Sequence, residues 1–157
     1  MWLARHTPEK VMPRLLKVIE SAKEEFADAI ANGEGIYAVG YCVGAKYALL
    51  LAAEHIDNTF WGETKAENVK EGEVDKQGPM IKTIAIAHAA QVTPNDIAAV
   101  KVPVYLICVQ NDPLFPDEVL QASIEILEKN QIVHEVKIYP EVPHGKVFNS
   151  SNLLRSC

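Results

Sequence analysis

Residues 36–53 read IYAVGYCVGAKYALLLAA, and the rest of the chain can be placed outward from them. Ile36-Tyr37-Ala38-Val39 is an apolar run of strand length. Gly40-Tyr41-Cys42-Val43-Gly44 is a glycine-bounded turn, and Ala45 to His55 has the Ala and Leu content of a buried helix. A strand that passes straight into a buried helix is a βα unit, and the uninterrupted apolar strand suits a parallel sheet.

Toward the N-terminus, Thr7 can cap a helix and Pro8 suits its first turn, with Pro13 expected to restart it. From Arg14 to Ala31 the apolar residues Leu15, Ile19, Ala22, Phe26 and Ala29 or Ile30 fall on one helical face, and Asn32-Gly33-Glu34-Gly35 stops it. Toward the C-terminus, strands are predicted over Ile81–Ala87, Val102–Val109 and Ile132–Tyr139. Helices are predicted from Thr93-Pro94-Asn95-Asp96 and over Pro116–Asn130, where Val119, Ile124 and Leu127 share a face. The polar, Glu- and Lys-rich stretch at about 57–80 reads as a surface excursion. The alternation predicts one α/β domain over residues 1–157, a parallel sheet with helices on both faces.

Composition narrows the function. A chain of 157 residues with 48% hydrophobic and 23% charged residues is a globular domain, neither disordered nor a coiled coil. A net charge of -6 argues against nucleic acid or anionic lipid as a partner. The longest apolar run, Tyr47 to Ala53, falls far short of the roughly 20 residues that span a bilayer. MWLARHTPEK has no apolar core of signal-peptide length, and three widely spaced cysteines without a CxxC pair suit a reducing cytoplasm.

In an open α/β sheet the active site lies beyond the carboxyl ends of the strands. Cys42, Asp112 and His144 each follow a predicted strand there, in the order nucleophile, acid, histidine. G-x-C-x-G is a nucleophile elbow with sulfur in place of oxygen; glycine on both sides is expected to relieve clashes. The start of a helix favours a thiolate, and an adjacent imidazole favours it further. The Val43 N–H would be one oxyanion-hole donor. Each residue alone has a plainer reading: Cys42 as a buried thiol beside a turn, Asp112 before Pro113 as a turn residue, His144 as a loop histidine. Their joint order at three strand ends favours catalysis. Tyr41 and His88 are further candidates for the pocket. Cys108 lies within a strand pattern and reads as inert core. His6, His55 and His134 make no metal-ligand spacing, so neither metal nor cofactor is expected.

Three stretches, GYCVGAKYALLLAA, QNDPLFP and YPEVPHG, together resemble the dienelactone hydrolase family of α/β-hydrolases, from about Trp2 to Gly145, with fungal and yeast members the most similar. The resemblance implies a Cys42–Asp112–His144 triad that hydrolyses a lactone or small ester through a thioester acyl-enzyme. It also brings departures. Members usually begin with several strands before the helix that opens this chain, and those strands supply the second oxyanion donor. They usually follow the histidine with an aromatic residue and an arginine, where this chain has Lys146-Val147-Phe148-Asn149. The expectation is therefore a copy lacking the N-terminal strands and the closing helix.

Two rivals follow. An inactive fragment would bind a partner, or a second copy of itself, through an exposed sheet edge. A glutamine amidotransferase-like enzyme would place a glutamate where Lys146 stands. A dinucleotide-binding reading fails for want of the third glycine.

Overall fold

The computed structural model describes residues 5–54 and 78–145. The excursion expected at about 57–80 lies almost wholly outside them, as do Lys146 to Cys157.

Helix α1 spans Pro8–Glu25, entered through an extended Thr7 (φ -77°, ψ 158°) with proline in the first turn. It runs straight through Pro13, contrary to the expected restart. Proline there forfeits one bond to the carbonyl of Glu9, an exposed residue that water can reach. The break comes instead at Phe26 (φ -116°, ψ 32°), after which α2 covers Ala27–Asn32.

Strand β1 spans Tyr37–Tyr41 and leads into α3, Val43–Ala52; Cys42 alone separates the two. The strand is longer than expected because Gly40 and Tyr41 keep its pairing, opposite Ile86 and Ala87, instead of turning. Then follow β2 (Thr83–Ala87), α4 (Pro94–Ala98), β3 (Val104–Val109), α5 (Asp117–Lys129) and β4 (His134–Tyr139). All three neighbouring pairs are parallel, in the order β1-β2-β3-β4. This is the expected α/β class, a parallel sheet flanked by helices.

Alternation along the strands decides where the core sits. Ala38, Ile84 and Val104 are in register, as are Gly40, Ile86 and Leu106. Ile84, Ile86, Val104 and Leu106 share one core cluster with Met12 and Ile19 of α1, Leu49 of α3, Ile97 of α4, and Leu120 and Leu127 of α5. Helix α3 buries Ala45, Ala48 and Leu49 through Ala52, so its Ala and Leu content reflects contact on most sides. The other row of β1 is exposed among the described residues: Tyr37, Val39 (83%) and Tyr41. That strand is the sheet edge to which the self-association expectation refers. No helix among the described residues is long and apolar enough to cross a membrane.

Candidate active site

Cys42 sits at the strand-to-helix corner with φ 52° and ψ -119°, a conformation L-residues avoid. Its N–H donates to Ala87 O (3.0 Å), and its carbonyl accepts from Ala45 N–H and Ala90 N–H (both 3.1 Å), so the strained peptide is held on both sides. Gly40 permits the corner: a Cβ there would stand 2.7 Å from both Ala45 Cα and Gly44 O. Gly44 is different. A Cβ there would meet nothing within 4 Å, so the expected clash exists on one side of Cys42 only. Val43 is the first residue of α3, and its N–H is among those a helix leaves without an internal partner.

The other two predicted residues converge on this corner. Asp112 is 4% exposed; its Oδ1 accepts from Leu114 N–H (2.9 Å), the turn role its sequence suggested. Its second oxygen, Oδ2, accepts from Nδ1 of His144 at 2.7 Å. With that nitrogen carrying the proton, Nε2 of His144 is free to accept, and it stands 3.4 Å from Cys42 Sγ. Thiol, imidazole and carboxylate therefore form one hydrogen-bonded chain beyond the ends of β1, β4 and β3.

His88, at the end of β2, is 5% exposed and has φ 48°. Its ring lies 5.4 Å from that of Tyr41 and 5.7 Å from that of His144, edge-on to the latter. Burial, and then the neighbouring His144, push its pKa below the ordinary imidazole value. Tyr41 and His88, both named from the sequence, thus lie beside the Cys42–His144–Asp112 chain, His88 against His144 and Tyr41 against His88. What sequence reasoning missed is that each strand is followed within two residues by a left-handed backbone: Cys42, His88, Asn111 (φ 57°) and Glu141 (φ 58°). Such backbone thus follows every strand at the carboxyl end of the sheet, and strain of this kind is common at functional sites.

Among the described residues one group could hold a metal ion: ligand atoms of His88, Asp112 and His144 all lie within 4.8 Å of one another. These residues are 24 and 32 positions apart in the chain, which is why no ligand spacing announced them. Cys108 is buried in β3, and burial, then Asp112 and Asp117, push its thiol up to about 12. A depression of about 270 Å³ lined by residues including Ile36, Lys82 and Val102 lies at the opposite ends of the strands, away from this chemistry.

A parallel α/β sheet with Cys, His and carboxylate joined at its carboxyl edge is the arrangement of an α/β-hydrolase-type protein. Residues 2–152 match the dienelactone hydrolase family, and the chain belongs to that family. It is 23% identical over 145 residues to hydrolase pyvD of Aspergillus violaceofuscus, covering 92% of this chain and 47% of that protein. It is 26% identical over 135 residues to an endo-1,3;1,4-beta-D-glucanase of Zea mays, covering 86% of this chain and 33% of that protein. The chain thus spans less than half the length of either relative. A solved dienelactone hydrolase-type structure from Klebsiella pneumoniae superposes with a TM-score of 0.51 at 16% identity, covering 78% of this chain and 47% of the other.

Proposed function

We propose that this chain carries the reacting groups of a cysteine hydrolase for lactones or small esters. The observation that supports it is the relay itself: Sγ to Nε2 at 3.4 Å, and Nδ1 to Oδ2 at 2.7 Å. His144 Nε2 takes the Cys42 proton as sulfur attacks the substrate carbonyl, and the C–S bond forms as the carbonyl oxygen becomes an oxyanion. The Val43 N–H, at the start of α3, donates to that oxyanion. Collapse breaks the ester C–O bond, the leaving oxygen takes the proton from His144, and a thioester remains; in a lactone the leaving alcohol stays on the same acyl chain. His144 then deprotonates a water that attacks the thioester, and the C–S bond breaks to return the thiol. Asp112 holds the imidazole in the tautomer this cycle needs. A nucleophile that must stay a free thiol suits the reducing compartment read from the cysteine pattern.

The test is turnover of 4-nitrophenyl acetate and of a five-membered lactone by the chain and by Cys42→Ala. Loss of turnover in the variant, with an acyl adduct of the parent located on Cys42 by mass spectrometry, is expected. Turnover that survives Cys42→Ala would sink the assignment.

A further inference from the structure

We propose that His88 is a positioning residue: its side chain and peptide join the loop that carries His144 to the corner that carries Cys42, and so set the distance between imidazole and sulfur. The inference rests on the proposed roles of Cys42 and His144 and adds a residue to them.

In the loop after β4, Gly145 N–H donates to Nδ1 of His88 at 3.4 Å. The His144 ring of the same loop bonds to Asp112 and to Cys42. The Gly145 bond gives the loop a reference outside the reacting contacts of His144. His88 is itself fixed: its N–H donates to Ile107 O of β3 (3.0 Å). The residues on either side of it grip the elbow, since Ala87 O accepts from Cys42 N–H and Ala90 N–H donates to Cys42 O. The segment 87–90 therefore touches both partners of the Cys–His pair. The edge-on packing of the His88 ring against His144, with Tyr41 on its other contact, limits how far the His144 ring can swing.

The chemistry of the position selects the test. Oδ1 of asparagine occupies the same place along the side chain as Nδ1 of histidine, and asparagine tolerates the left-handed backbone found at residue 88. His88→Asn therefore keeps the acceptor for Gly145 N–H, while His88→Ala removes it. Three readouts are compared in the full chain: alkylation of Cys42 by iodoacetamide at neutral pH, located by peptide mapping; ester turnover; and hydrogen exchange of the Gly145 amide. His88→Ala is expected to slow Cys42 alkylation and to lower kcat by about tenfold or more with little change in KM, because the substrate contacts remain while the reacting pair is displaced. His88→Asn is expected to restore most of both. Gly145 protection should be lost in the alanine variant and kept in the asparagine variant.

Equal impairment of the two variants, or an alanine variant that behaves as the parent, overturns the proposal. Should His88→Ala fail to fold, an unprotected Gly145 amide in the parent protein overturns it alone. The amide readout does not depend on catalysis. A Gly145 amide that responds to His88 in a chain whose Cys42 is inert would count against the hydrolase reading and leave the coupling standing.

Discussion

A side chain at Gly40 would have to enter space filled by the backbone of α3, since the atoms it meets belong to Ala45 and Gly44 themselves. Backbone cannot rotate away as a flexible side chain can, so the sheet and α3 would have to separate. Gly40→Ala is expected to destabilise the fold by about 3 kcal/mol or more, or to prevent folding. Gly44→Ala should change stability by under about 1 kcal/mol and toward greater stability, because alanine is the better helix residue and space is open. Urea unfolding of the two variants checks both; similar losses would mean that the corner is not held as described. At this scale the sequence was legible in kind: Cys42, Asp112 and His144 could be named from strand ends and order. It could not separate two glycines that flank a residue symmetrically, because what distinguishes them is the path of the helix three residues on. Nor could it show that the Asp112 carboxylate serves two partners, one oxygen for Leu114 N–H and the other for His144.

Between elements, α3 and α4 are pinned by a single carboxylate. Asp96 accepts from the Thr93 N–H (2.8 Å) and hydroxyl (2.7 Å) and pairs with Lys46 Nζ through both oxygens, at 2.6 and 2.7 Å. Its side chain is 10% exposed and that of Lys46 is 20%, so loss of the carboxylate strands a poorly hydrated ammonium as well as uncapping α4. Asp96→Ala is expected to cost about 2–3 kcal/mol, and Asp96→Asn less, because the amide oxygen can still cap. Equal losses in a denaturant titration would show that the capping bonds contribute nothing and that the whole effect comes from the charge pair with Lys46. The helix start at Thr93-Pro94-Asn95-Asp96 was readable because capping is local. Its partner Lys46 was not, being 50 residues away with no periodic signal to link them. Apolar runs marked β2 and β3 well but overran both by two residues, and they misplaced the end of β1, where glycine looks like a turn and behaves as strand. They also read as buried on both sides: Tyr37, Val39 and Tyr41 are as apolar as a covered row, although no described residue covers them.

For the molecule as a whole, the carboxyl edge of the sheet couples stability to protons. His88 is held in its neutral form by burial first and by His144 second, against the pull of Asp112, and a proton on Nδ1 would also displace the Gly145 N–H. In the unfolded chain the same imidazole protonates near pH 6.5. The unfolded state therefore takes up a proton at higher pH than the folded state does, and stability falls as pH drops through about 6.5 until the folded-state value is also passed. Carboxylates lose their charge at about pH 4, so their share of acid destabilisation sits mostly below this window. The comparison is with His88→Asn, which has no imidazole at this position to take up a proton. From pH 7.5 to 5.5 the parent is expected to lose more stability than the asparagine variant, so that the two unfolding midpoints converge on acidification. Urea titrations at three pH values in that range decide it. Parallel lines for the two proteins would show that His88 charges as readily in the folded state as in the unfolded one, and that its burial against His144 and Tyr41 does not govern the acid response of the fold.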